Sequence, residues 1–254
     1  MSGSLAPSGS RKAGWFLRLA RPYVRSRLRG NFAEVSVAGL EATRSVLVQR
    51  PLLVAPNHVS WWDPLLCVAL DEQLGGGGHC LMDAANLRRF PFFSWVGALP
   101  LERSSPRLAR DDLERALNAS RRAGEFLIVF PQGEQRPSHL PLVFHAGVSW
   151  LAARGKLATV PVGVRYQFGE GPRPRIFVSF GPPLEDPGSS NFLARLEGAV
   201  ARELERIDAE LLRRLSPHSL GSEFRALFGH ADELELPLGT SILTGLARRG
   251  GQGT

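Results

Sequence analysis

The sequence predicts an α/β fold: a single layered domain with a mostly central, mixed β-sheet flanked by helices. Three observations predict it. LLVA at 52–55 and EFLIVF at 125–130 are short, nearly continuous apolar runs, which is how strands buried on both faces of a sheet read. Residues 192–215 carry Leu193, Leu196, Val200, Leu204, Ile207, Leu211 and Leu215 at steps of three and four, with Arg and Glu on the other face. That is the period of an amphipathic helix. Elsewhere strand-like and helix-like stretches alternate, the order that a layered α/β domain produces.

In chain order, residues 1–10 are Gly, Ser and Pro in a polar setting and are expected to form a disordered tail. Residues 11–30 hold seven basic residues and no acid. Trp15, Phe16, Leu19, Tyr23, Val24 and Leu28 recur there on one helical face, with Pro22 expected to kink or divide the helix. Such a segment either lies in the interface of an anionic membrane or packs its apolar side on the domain. Residues 32–37 read as a strand before a turn at Gly39, and 52–55 as the buried strand. PLLCVALD at 64–71 is helical in character, the glycines 75–78 are a flexible connection, and 79–82 read as a short strand. Ser105 and Pro106 form a helix start, with Gly124 as the expected stop. After the strand 125–130, residues 142–153 read as a helix. Residues 159–166 and 175–180 read as strands paired across the Gly- and Pro-rich 169–174. The main domain is set at 31–215, and 216–254 is an extension with weak helical patterning.

Net charge is +7, and all but Lys12 and Lys156 of the 31 basic residues are arginine. Arginine donates paired hydrogen bonds to phosphate, so the balance suits a membrane surface or an anionic substrate. No nucleic-acid recognition motif accompanies it, and no nucleic-acid partner is expected. No apolar run approaches the ~18 residues of a spanning helix, and residues 1–15 lack the apolar stretch of a secretory signal. A cytoplasmic protein, peripheral at the inner face of a membrane, is the expectation. Cys67 and Cys80 read as free thiols, and no spacing of Cys, His or acid matches a metal site.

The chemistry concentrates in LLVAPNHVSWWD, 52–63. A buried strand stops at Pro56-Asn57, His58 follows, and Asp63 comes five residues later. Histidine suits general-base work because its unperturbed pKa, about 6.5, lies close to working pH. A carboxylate on its far nitrogen fixes the tautomer and stabilises the imidazolium. Positions i and i+5 share no helix face, so the pair must straddle a loop-to-helix junction. The three-residue interval from Ser60 to Asp63 also fits a helix capping box, in which Asp63 would simply cap the helix.

Asn-His-x4-Asp after such a strand resembles the first motif of the glycerolipid acyltransferase superfamily. Further blocks resemble that family in order: Gly97-x-x-Pro-x-x-Arg103, Phe130-Pro131-Gln132-Gly133, Phe144-x-x-Gly147 and Val160-Pro161-Val162. The resemblance covers residues ~32–185 and implies transfer of a fatty acyl group to a lipid hydroxyl. The donor would be acyl-CoA or acyl-carrier protein, as co-substrate, with no cofactor. It implies His58 as base and Asp63 as its orienter, with no covalent acyl-enzyme, and backbone N–H groups of the glycine-bearing loops receiving the oxyanion. Asn57, Gly97, Arg103, Gln132, Gly133, Glu134 and Arg136 would bind substrate, Arg103 gripping the phosphate of a lysolipid acceptor. No G-x-S-x-G nucleophile elbow competes with this reading. Trp61 and Trp62 would wall an acyl tunnel, reach the membrane interface or pack in the core.

Three departures from the family pattern stand out. Gln132 replaces the family glutamate with a neutral amide that both donates and accepts, and Glu134-Gln135-Arg136 replaces the usual Thr-Arg. The downstream lysine is His145. Glu134 is placed to restore the negative charge and Arg136 to reach an anion. Otherwise the acceptor is a lipid without phosphate, glycosylated or amino-acid linked, or the chain binds lipid without turnover.

Overall fold

A computed structural model describes residues 12–169, 171–215 and 221–229. Among the described residues, eight strands form one mixed sheet: β1 (Glu34–Ala38), β2 (Leu52–Pro56), β3 (Gly78–Asp83), β4 (Ala98–Leu101), β5 (Phe126–Ile128), β6 (Ala158–Gln167), β7 (Arg175–Phe180) and β8 (Arg225–Gly229). Their order is β4-β3-β5-β2-β6-β7-β1-β8. The first five in that order run parallel, β7 is antiparallel to β6, β1 is parallel to β7, and β8 is antiparallel to β1. The carboxyl ends of β2 and β5 therefore lie side by side at one edge of the sheet, where open α/β sheets place their sites.

The helices are α1 (Gly14–Asn31), α2 (Leu40–Leu47), α3 (Asp63–Gln73), α4 (Ala84–Arg89), α5 (Pro106–Asn118), α6 (Gly147–Gly155) and α7 (Phe192–Arg214). The central strands have two buried faces, and alternate residues serve different layers. Leu52, Val54, Phe126 and Ile128 pack with Leu66 and Leu70 of α3 and with Val24 and Leu28 of α1. Leu53, Ala55, Leu127 and Val129 pack with Leu117 of α5, Leu151 of α6 and Leu196 of α7. This is why the two runs are apolar at every position instead of alternating.

Several expectations change. The helix 11–30 is not divided: α1 runs through Pro22. Its apolar face is shared between two environments, with Val24 and Leu28 in the core and Trp15, Leu19 and Tyr23 exposed. Its positive charge also has acidic counterparts in space, since Lys12 lies 2.7 Å from Asp71, Arg21 3.7 Å from Asp71, and Arg25 pairs with Glu72. Burial draws the Lys12 ammonium below the usual lysine range, and the Asp71 charge acts against it.

Gly39 begins a helix, α2, that the sequence reading passed over. It takes φ +74° against the Phe180 carbonyl, where a Cβ would stand 2.1 Å from the oxygen, so only glycine fits. Residues 98–101 form the edge strand β4, the position where Pro100 removes no needed donor. Helix α5 stops at Asn118, before Gly124, and the expected helix from 142 starts only at Gly147. Within the extension, residues 225–229 are a strand and not a helix. The tail 1–10 and the rest of 216–254 other than 221–229 lie outside the described residues.

Candidate active site

The chain leaves β2 at Pro56 and enters α3 at Asp63, so residues 57–62 are the loop that carries His58. The imidazole Nδ1 lies 2.6 Å from Asp63 Oδ2. With Asp63 ionised, Nδ1 carries the proton and donates, which leaves Nε2 as the acceptor nitrogen. The Phe130 ring lies against the imidazole, centroids 4.3 Å apart. Asp63 is buried, and the same Oδ2 accepts from the backbone N–H groups of Val59 and Ser60, each at 3.1 Å. Oδ1 accepts the Tyr166 hydroxyl at 2.7 Å.

One carboxylate thus serves both the imidazole and the loop backbone, while Trp62 precedes the helix and no side chain caps its first turn. Reaching back to the Ser60 N–H is half of a capping box, while the Ser60 hydroxyl accepts from Trp62 N–H at 3.2 Å. The carboxylate caps the loop before the helix and, in doing so, is aimed at the imidazole.

The loop beyond β5 holds the backbone of His58 from both sides. Gln132 Oε1 accepts the His58 N–H at 2.7 Å, and the Arg136 N–H donates to the His58 carbonyl at 2.9 Å. Gln132 is itself buried. A glutamine supplies the oxygen acceptor that this contact needs, without the charge of a carboxylate.

Gly133 takes φ +70° beneath the His145 ring, and its N–H donates to the Phe130 carbonyl at 3.0 Å. That N–H is engaged inside its own turn. Arg103, just past the carboxyl end of β4, donates to the Gly133 carbonyl at 2.9 Å. Arg136 pairs with Glu134 at 2.8 Å. Arg103, Gly133, Glu134, Arg136 and His145 therefore gather beside the dyad.

The structure places two of the expected substrate-binding residues in other surroundings. The Asn57 side chain donates to the Val164 carbonyl at 3.0 Å and accepts its N–H at 2.7 Å. β2 pairs with β6 only as far as Val162, and the buried Asn57 amide continues the ladder by imitating a peptide group. Gly97 sits at the amino end of β4, at the opposite edge of the sheet from His58. Its φ is +107°, and a Cβ there would meet Lys12 and the Gly78 carbonyl.

Beneath the dyad lies an apolar pocket whose walls include Pro56, Asp63, Leu66, Cys67, Phe126 and Phe130. Neither Trp61 nor Trp62 lines it. Trp61 is exposed, and Trp62 packs on Phe32 with centroids 5.0 Å apart. Among the described residues, no three His, Cys, Asp or Glu side chains gather where a metal could be held. Also among them, no helix is long and apolar enough to cross a membrane.

Tyr166 is the site residue that sequence reasoning missed. It lies 103 residues from Asp63, so no local spacing announces it. The available signal was the alternation Val160, Val162, Val164, Tyr166, which puts its ring on the same face of β6 as the layer containing α3.

The family model described as Acyltransferase matches residues 34–165. The chain is similar to the 1-acyl-sn-glycerol-3-phosphate acyltransferase of Pseudomonas aeruginosa, 26% identical over 130 residues. That match covers 50% of this chain and 47% of the relative, so the chain spans about half the length of the curated protein it matches. Among solved structures it resembles the 1-acyl-sn-glycerophosphate (LPA) acyltransferase, PlsC, of Thermotoga maritima. The TM-score is 0.58 at 20% identity, over 81% of this chain and 85% of that one. At that identity the likeness is one of fold.

Proposed function

This chain belongs to the acyltransferase family, and from that premise we propose that it moves a fatty acyl group from a thioester donor to the hydroxyl of a lysolipid. The observation that carries the proposal is the 2.6 Å contact between His58 Nδ1 and Asp63 at the carboxyl edge of the sheet. Asp63 directs the imidazole so that Nε2 faces the reaction as a base. The acceptor hydroxyl gives its proton to Nε2 while its oxygen attacks the thioester carbonyl. The tetrahedral intermediate collapses with cleavage of the C–S bond, and the imidazolium returns the proton to the departing thiolate. One ester forms, one thioester breaks, and no acyl-enzyme is needed. Acyl-CoA or acyl-carrier protein is the donor.

Arg103 and Arg136 are the groups suited to an acceptor phosphate, because a guanidinium offers paired donors. One observation favours a second reading of the acceptor. Arg136 is already paired with Glu134, which offsets positive charge at the site and would fit an uncharged, glycosylated head group. The test is incubation of purified protein with acyl-CoA or acyl-carrier protein and a panel of lysophospholipids and glycolipids, with mass spectrometry of the products. An acylated lysophosphatidic acid is the expected product. Acylation of a glycolipid alone would favour the second reading, and no product with any pair would leave a lipid-binding protein without turnover.

The acceptor is a membrane lipid, so the same proposal places the protein on an anionic membrane surface. Trp15 and Trp95 stand 5.8 Å apart, both exposed, with Leu19 and Tyr23 farther along α1. Arg18 lies on α1 with them, and Arg88 and Arg89 end α4, just before the turn Pro91–Val96 that carries Trp95. Aromatic side chains with basic neighbours suit an interface. Sedimentation with anionic vesicles is expected to retain the protein at low salt and to weaken as salt rises. Trp15→Ala with Leu19→Ala should lower the bound fraction severalfold, and equal binding by that variant would remove α1 from the contact.

A further inference from the structure

The Asp63 carboxylate is approached unevenly. Oδ2 faces three donors, the His58 Nδ1 and the N–H groups of Val59 and Ser60. Oδ1 has the Tyr166 hydroxyl. Rotation about the terminal carboxylate torsion is soft and nearly two-fold, and three donors crowd an oxygen with two lone pairs. A carboxylate with one oxygen unclaimed would relieve that crowding by turning Oδ1 toward one of them. Tyr166 occupies Oδ1 from the far side, out of the next layer of structure.

The tyrosine is built for this contact. β6 alternates Val160, Val162, Val164 and Tyr166 toward the layer of α1 and α3, and α3 begins with Asp63 itself. The Tyr166 ring is held against Phe32, centroids 5.8 Å apart, and Phe32 in turn packs on Trp62. Burial, and then the neighbouring Asp63 charge, pushes the phenol above its ordinary range. The hydroxyl therefore keeps its proton and acts only as a donor toward the carboxylate.

We propose that Tyr166 is a positioning residue of the acyl-transfer site, which locks the Asp63 carboxylate so that Oδ2 stays in line with His58 Nδ1. This rests on the His58–Asp63 reading above. Tyr166 touches no reacting atom and acts through Asp63.

Tyr166→Phe removes the hydroxyl and keeps the ring on Phe32. The expected result is a fall in kcat on the order of tenfold, the lower end of what loss of an orienting partner costs, at unchanged KM. The low-field proton resonance of the His58 ring N–H, read without substrate, should move from its position in the parent protein. In an Asp63→Asn background the same change should cost less than about twofold, because coupled residues share one effect. A kcat within twofold of the parent together with an unmoved resonance overturns the proposal. So does an equal loss in the Asp63→Asn background, which would mark a separate structural contribution and which also decides the matter if Tyr166→Phe lowers stability. Acyl transfer retained by His58→Ala would instead overturn the dyad reading. An inactive His58→Ala beside a fully active Tyr166→Phe would overturn this inference alone.

Discussion

Replacing His58 with alanine is expected to lower the acyl-transfer rate by about 10²–10⁴, the usual contribution of a positioned general base. On the proposed mechanism the loss should fall on kcat, since the imidazole would take the hydroxyl proton only as the oxygen attacks. Stability should change little by comparison. The ring is partly open to solvent, and Asp63 keeps its hydrogen bonds from Val59, Ser60 and Tyr166 when the imidazole is gone. Turnover measured alongside a thermal melt separates the two effects. An alanine variant that folds like the parent and still transfers acyl groups would leave the family's fold in place without its His-Asp chemistry.

The second large effect is expected from Asn57→Ala, and on stability first. The Asn57 amide makes both hydrogen bonds to the Val164 peptide. Truncation leaves that N–H and that carbonyl without the amide at a buried position, at roughly 1–3 kcal/mol for each unsatisfied group. A loss of about 2–6 kcal/mol in urea unfolding follows, large against the 5–15 kcal/mol that ordinarily holds a domain. Asn57→Asp should be nearly as costly, since a carboxylate accepts the N–H but cannot donate to the carbonyl. Because His58 is the next residue, activity should fall as well. An Asn57→Ala protein with parental stability and a raised KM would return Asn57 to the substrate-binding role the sequence suggested.

The contrast between His58 and Asn57 shows what the sequence exposes. A buried strand is legible because burial on both faces forces every residue of 52–55 to be apolar, and α7 is legible because its period repeats over 23 residues. The His58–Asp63 pair is legible because a loop-to-helix junction keeps both groups within six residues of chain. β8 was not legible, since a five-residue strand takes its identity from β1, its partner nearly two hundred residues earlier. Tyr166 and the Asn57 amide were missed for the same reason: each is defined by a contact across the sheet. Gln132 was legible as an oddity but not in its role, because only the fold brings its side chain to the His58 N–H.

The position of β2 between β5 and β6 has a consequence for how the protein is made. The contacts that hold the His58 loop close over long separations: 74 residues to Gln132, 103 from Asp63 to Tyr166 and 107 from Asn57 to Val164. Parallel pairings of this kind make the chain bear the entropy of loop closure before the contacts reward it. During synthesis His58 and Asp63 emerge early, together with the local hydrogen bonds between them, yet Asn57 and Asp63 lack their partners Val164 and Tyr166 until β6 has left the ribosome. A nascent chain ending before residue 158 carries both groups of the dyad without the strand that anchors the loop between them. The anchored site is thereby an assembly product of the finished sheet.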